Sequence, residues 1–180
     1  MKKEIRICGF GGQGVILSGF IIGKAASVFM DYHAVQSQSY GPEARGGAAR
    51  SEVIVSDEKI GYPRPLGVDL LVAMSQESFD SYRYDVTKNT QIVVDPDLVK
   101  KHDIGQPVYK IYAQQIAESL GNKIVTNIVM VGASMAIFGL LDLDAVKQSV
   151  LDSVPKRFID LNEKAFEKGV EAGKNALKDL

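Results

Sequence analysis

Strands alternating with helices along most of the chain predict a three-layer α/β/α domain with a mostly parallel sheet, a small antiparallel piece and a helical C-terminal third. Three observations carry this expectation. The apolar run Ile5 to Cys8 leads through Gly9-Phe10-Gly11-Gly12-Gln13-Gly14 into the long apolar stretch Val15 to Met30, a strand, glycine turn and helix in series. Leu70 to Met74 and Gln91 to Val94 are continuous apolar runs, the pattern of strands covered on both faces. From Val125 onward apolar residues recur at helical spacing.

Taken in order, Ile5 to Cys8 is a first strand, and Val15 to Met30 a helix with Val15, Ile16, Phe20, Ile21, Ala25 and Val28 near helical spacing. Asp31-Tyr32-His33 turns the chain into a second strand through about Gln36. Ser37 to Arg50 lacks apolar periodicity and reads as an irregular segment, and a loop of that length inside a compact domain is usually functional. Val53 to Val55 is a strand; Asp57-Glu58-Lys59 turns it into a short return strand, Ile60 to Tyr62, which supplies the antiparallel piece. Ser75 caps a short helix holding Phe79 and Tyr82 after the Leu70 to Met74 strand. Gln91 to Val94 closes at Asp95-Pro96, and Val108 to Tyr112 leads to the helix Ala113 to Leu120, stopped by Gly121-Asn122. Helices follow over Val125 to Phe138, over Leu143 to Leu151 with Asp142 as N-cap, and after Ser153 and Pro155. In the last, Ile159, Phe166, Val170 and Leu177 form one stripe.

Residues 1–180 fit one domain with a well-buried core, at 46% hydrophobic and 24% charged. A net charge of -1 without a basic run gives no electrostatic case for nucleic acid or an anionic membrane. The single cysteine, Cys8, cannot form an intramolecular disulfide or hold an iron–sulfur cluster, so a reducing cytoplasm fits best. Ile124 to Leu141 has no charge over eighteen residues, at the lower edge of a membrane span, but holds Thr126, Asn127, Gly132, Ser134 and Gly139. It reads instead as a helix buried in its own core or against a partner.

The glycine motif admits close approach of either a phosphate on the helix N-terminus or another protein segment. A dinucleotide fingerprint also wants an acid at the end of the second strand, where this chain has Gln36, Ser37 and Gln38; that counts against NAD. The second motif is Tyr40-Gly41-Pro42-Glu43-Ala44-Arg45-Gly46-Gly47, in which glycine and proline fix the loop while Glu43 and Arg45 offer a carboxylate and a planar guanidinium suited to an anion. A surface turn with solvated charges is the plainer reading of those eight residues alone. Cys8 lacks an adjacent base, His33 and His102 lie far apart, and no paired metal-ligand spacing occurs. No catalytic residue and no metal ligand is therefore assigned.

The paired motifs Gly9 to Gly14 and Tyr40 to Gly47, with Tyr62-Pro63 beyond them and Asn127 and Asn162 in the helical third, resemble the gamma subunit of the 2-oxoacid:ferredoxin oxidoreductases over nearly the whole chain. A related alternative is the beta subunit of indolepyruvate oxidoreductase, which shares this domain; an independent nucleotide-binding protein is the alternative from a different class. The resemblance implies a complex that decarboxylates a 2-oxoacid on thiamine diphosphate and magnesium, passes electrons through iron–sulfur clusters to ferredoxin, and delivers the acyl group to coenzyme A. It also implies that those cofactors belong to alpha, beta and delta partners, and that the gamma chain is accessory and borders the coenzyme A side. Among substrates, 2-oxoglutarate is favoured over pyruvate or branched-chain acids.

On this reading the two motifs lie together beyond the carboxyl ends of the strands, facing the catalytic subunits. The expected binding residues are Gly9, Gly11, Gly12, Gln13, Gly14, Tyr40, Gly41, Glu43, Arg45, Gly46 and Gly47. If the apolar helix and the C-terminal stripe are not covered internally, the isolated chain should form a homodimer or aggregate.

Overall fold

The computed structural model describes residues 1–40 and 47–179. Six strands form one sheet in the order β2-β3-β1-β4-β5-β6, with β1 Lys2–Phe10, β2 His33–Ser39, β3 Ala48–Ser56, β4 Leu70–Ala73, β5 Gln91–Val94 and β6 Tyr109–Lys110. β1, β4, β5 and β6 run parallel, while β3 is antiparallel to both β1 and β2. The expected three-layer arrangement is present, but its layers are unequal. On one face α1 Val15–Lys24, α3 Ala113–Ser119, α4 Thr126–Phe138, α5 Leu143–Leu151 and α6 Ile159–Ala176 enclose the larger core. The other face carries α2 Gln76–Tyr82 and the connection containing Val99, Ile104 and Val108. Alternation along the strands feeds both: Ile5, Ile7, Leu70, Val72 and Val93 enter the larger core, and Cys8, Leu71, Ala73, Ile92 and Val94 the smaller.

Several expectations are corrected. The antiparallel piece is β3 itself, not a return strand at Ile60 to Tyr62, which does not form. Pro63 and Pro65 follow immediately, and the segment instead gives the Leu66 and Gly67 amides to the Glu4 carboxylate at 2.9 and 2.6 Å. Both ends of the stretch read as irregular over Ser37 to Arg50 are strand, because β2 runs to Ser39 and β3 starts at Ala48. Here polar pairing replaces apolar alternation: Gln36 Nε2 donates to Ser51 Oγ at 2.8 Å and to the Ile16 carbonyl at 2.9 Å, tying strand to strand and strand to helix. The first helix is α-helical only to Lys24 and continues as a π-helical turn over Ala25–Phe29. Ser27 Oγ donates to the Gly23 carbonyl at 2.9 Å, a back-bond of the kind that bends helices.

The C-terminal helices pack by backbone approach more than by the stripe read from sequence. A Cβ added to Gly132 would lie 2.4 Å from the Phe166 carbonyl oxygen, and one on Gly169 2.2 Å from that of Val129. Phe166 is buried, yet Leu177 at the end of the stripe is 42% exposed. α4 is buried along most of its length among α1, α3, α5, α6 and β4, so its uncharged sequence is a domain core. No helix among the described residues is long and apolar enough to cross a membrane.

Candidate functional site

The carboxyl end of β1 is where the glycine turn begins, and main-chain bonding fixes its shape. Gln13 is the organising side chain: its Oε1 accepts from the Phe10 amide at 2.6 Å and its Nε2 donates to the Met74 carbonyl at 2.8 Å. One amide group thus closes the turn on itself and straps it to the residue after β4. Gly9 is required because a Cβ there would lie 2.5 Å from that same Oε1. Gly14 has φ of +74° and ends the turn in the left-handed region, and as a glycine at the N-cap it gives α1 no side-chain cap of its own. Gly11 and Gly12 are exposed, so their backbone faces outward at the start of the helix.

The second motif reaches the same rim from the other side of β1. β1 and β3 pair as far as Phe10 with Ala48, and one step further the Gly11 amide donates to the Gly47 carbonyl at 3.2 Å. Gly47, the last residue of the second motif, is therefore a direct neighbour of the glycine turn. Tyr40 is 57% exposed beside them and Gly47 is buried. Gly41, Glu43, Arg45 and Gly46 lie outside the described residues.

Two clefts flank the turn, and Gly12 borders both. A cleft of 240 Å³ runs along the carboxyl ends of the parallel strands, lined by Gln13, Met74, Leu98, Gln114 and Lys123. A more apolar one of 270 Å³ lies between α1, α4 and α6, with Leu17, Asn127, Phe158 and Asn162 in its wall. Ile124, 73% exposed, stands between them. Composition and spacing did not single out Met74, Leu98, Gln114, Lys123 or Ile124, since nothing local marks them. Only the rule that open sheets bind at their carboxyl ends would have pointed there.

The charge of this rim is modest. Lys123 is paired with Glu118 at 2.8 Å. Asp95, buried after β5, accepts from the Asp97 and Gln114 amides at 2.9 and 2.8 Å, and desolvation raises its pKa despite those bonds. Its Oδ2 thus holds the first turn of α3, and its Oδ1 closes the turn that follows β5. Cys8 is fully buried one residue before the turn, and desolvation pushes its thiol up to about 12, which makes it a packed residue and not a nucleophile at neutral pH. Among the described residues no cluster of three His, Cys, Asp or Glu side chains is placed to hold a metal.

The family model for pyruvate ferredoxin/flavodoxin oxidoreductase matches residues 4–172. The chain belongs to this family. The 2-oxoglutarate synthase subunit KorC of Methanocaldococcus jannaschii is 46% identical over 178 residues, which cover 97% of this chain and 95% of that relative. The gamma subunit of the keto/oxoacid ferredoxin oxidoreductase from Geobacter sulfurreducens PCA superposes with a TM-score of 0.89 at 42% identity, covering 98% of each chain. The 2-oxoglutarate:ferredoxin oxidoreductase from Magnetococcus marinus, solved with 2-oxoglutarate, coenzyme A and succinyl-CoA, superposes with a TM-score of 0.85 at 25% identity; the match covers 97% of this chain and 31% of that one. Indolepyruvate oxidoreductase subunit IorB of Methanothermobacter thermautotrophicus stands at 31% identity. Within this oxidoreductase family, then, the rim built from the Gly9 to Gly14 turn and the Gly47 end of the second motif is the candidate site of this chain.

Proposed function

We propose that residues 1–180 form the single gamma-type domain of a cytoplasmic, multisubunit 2-oxoacid:ferredoxin oxidoreductase. The complex converts a 2-oxoacid, 2-oxoglutarate before pyruvate or branched-chain acids, to acyl-CoA and carbon dioxide while ferredoxin is reduced. The Gly11 to Gly47 hydrogen bond supports this reading, because it ties the last residue of the second motif to the glycine turn at the carboxyl ends of the parallel strands. Similarity to KorC favours 2-oxoglutarate over the indolepyruvate alternative.

The chain's own groups fit an accessory role. One buried cysteine does not fit an iron–sulfur cluster, and no Gly-Asp-Gly segment suits thiamine diphosphate, so the thiamine diphosphate, magnesium and clusters are assigned to alpha, beta and delta partners. Coenzyme A is a substrate of the whole assembly. The start of α1, where Gly11 and Gly12 are exposed, suits a phosphate, and on this reading the Arg45 guanidinium of the second motif supplies a bidentate cation to it. On this reading the chain orients coenzyme A and helps to exclude water, and moves no proton or electron itself.

Co-expression with the genes for the partner subunits tests the proposal. The purified complex should reduce ferredoxin with 2-oxoglutarate and coenzyme A, and much more slowly with pyruvate or indolepyruvate. Arg45→Ala should raise KM for coenzyme A with little change in KM for the oxoacid. A purified single chain that oxidises any of these substrates unaided would overturn the accessory role, and tight binding of NAD(P)H or FAD by that chain would favour an independent nucleotide-binding protein.

A further inference from the structure

Tyr82, at the last position of α2, has no place in the site described above, yet it touches the one strand end on which that site depends. Its hydroxyl donates to the Ala48 carbonyl at 2.8 Å, at the first residue of β3. The next carbonyl back along the chain, that of Gly47, receives the Gly11 amide. Tyr82 is itself held from the opposite side: the Arg6 guanidinium donates to the Tyr82 carbonyl at 2.8 Å, and Arg50 stacks over its ring at 5.1 Å. Arg6 is 2% exposed and bonded at 2.8 Å to Glu52 and 2.7 Å to Asp85, so its own position is fixed by β3 and the segment after α2.

These contacts form a strut across the thinly covered face of the sheet. It starts at a buried ion cluster, passes through the Tyr82 ring and ends on the Ala48 carbonyl, one peptide along from the Gly47 carbonyl that the glycine turn holds. Two successive carbonyls of that strand end are then pinned from two directions, one by the glycine turn and one by α2. We infer that Tyr82 is a positioning residue for the coenzyme A side of the site, which it sets by fixing the Gly47–Ala48 end of the second motif against the Gly11 amide.

The inference rests on the proposed function, so the test separates the two. In the assembled complex Tyr82→Phe keeps the ring, its stacking with Arg50 and the Arg6 bond to the main chain, and deletes only the hydroxyl. Loss of one neutral hydrogen bond is worth roughly a fivefold change in an equilibrium. KM for coenzyme A should rise about fivefold while kcat and KM for 2-oxoglutarate stay within about twofold. Backbone amide exchange in peptides covering Gly9–Gly14 should quicken, with peptides covering β4 and β5 unchanged. In an Arg45→Ala background Tyr82→Phe should add little, because both act on the same ligand contact.

A fall in thermal stability with no change in KM for coenzyme A would make Tyr82 merely structural and end the inference. If Arg45→Ala also leaves that KM unchanged, the proposed function fails as well; if Arg45→Ala raises it and Tyr82→Phe does not, only the positioning role fails. Should Tyr82→Phe not assemble, the unaltered complex gives the second readout. Adding coenzyme A should slow exchange in α2 together with the start of β3, and an α2 indifferent to coenzyme A would overturn the strut.

Discussion

Asn127 occupies the space that any side chain on Gly14 would need: a Cβ at Gly14 would lie 2.3 Å from Asn127 Nδ2, and that same nitrogen donates to the Gly14 carbonyl at 3.4 Å. The buried asparagine of the apolar helix α4 thus locks the left-handed residue that starts α1, across 113 positions of sequence. Gly14→Ala should cost about 2–4 kcal/mol, from left-handed strain plus overpacking. In an Asn127→Ala background the two closest contacts go, leaving the Cβ of residue 127 at 3.1 Å, and the loss should fall toward the backbone strain of about 1–2 kcal/mol. Urea unfolding of the single and double variants checks this, and strictly additive losses would refute the contact.

Gln13 needs both ends of its amide, so its nearest isostere is expected to fail. Gln13→Glu keeps an acceptor for the Phe10 amide but turns a carboxylate oxygen toward the Met74 carbonyl in place of a donor. The folded state should then favour the protonated side chain, whose pKa rises above the unfolded value of about 4.3. The variant should lose stability relative to the parent as pH rises from about 4 to 7. Parallel melting curves across that range settle the matter; equal melting temperatures at pH 7 would show that the strap is not needed.

Cys8 supplies a prediction at the alkaline end. Desolvation holds its folded pKa at about 12 against an ordinary 9.0, so between those values the folded chain keeps a proton that the unfolded chain releases. Its contribution is fully present below pH 9.0 and is lost as pH rises toward about 12, at about 1.4 kcal/mol per unit. Cys8→Ala should therefore show a shallower loss of stability with pH than the parent above pH 9. A thiol reagent at pH 8 should leave native Cys8 unmodified and label it at once in urea.

Much of this fold is legible in the sequence because the signals are local. Gln91 to Val94 and the Asp142 cap of Leu143–Leu151 appear where spacing puts them, since a fully covered strand must be apolar throughout and a cap needs an oxygen at the helix start. Three features were hidden. The end of β2 beyond Gln36 and the rim end of β3 are mostly small and polar, with Gln36 bonded across to Ser51, so no apolar alternation betrays them. The close α4 and α6 contact depends on where Gly132 and Gly169 meet, which periodicity does not record. In the site, the contact of Gly47 with the glycine turn agrees with the expectation that the motifs lie at the carboxyl ends of the strands. The roles of Asn127, Tyr82 and Met74 were not readable, because each acts across a long sequence separation.

The Arg6 cluster offers the largest expected loss. Arg6 is 2% exposed and lies between Glu52, itself 7% exposed, and Asp85, with Tyr84 stacked at 4.6 Å. Burial alone would lower the arginine pKa, but the two carboxylates outweigh it and the net shift is upward. Arg6→Met removes the cation and leaves the Glu52 carboxylate buried, with Arg50, at 3.6 Å, to answer it among the described residues. Breaking a buried pair in this way costs about 3–5 kcal/mol, whereas replacing both partners by apolar residues is often close to neutral. Arg6→Met should accordingly be far less stable than Arg6→Met with Glu52→Met, while Asp85, at a 34% exposed side chain, returns to water in either case. Guanidinium unfolding of the set measures the coupling. An Arg6→Met variant within about 0.5 kcal/mol of the parent, the usual range for surface substitutions, would mean that the charges are solvated and that packing and the Tyr82 hydroxyl hold α2 to β1 and β3.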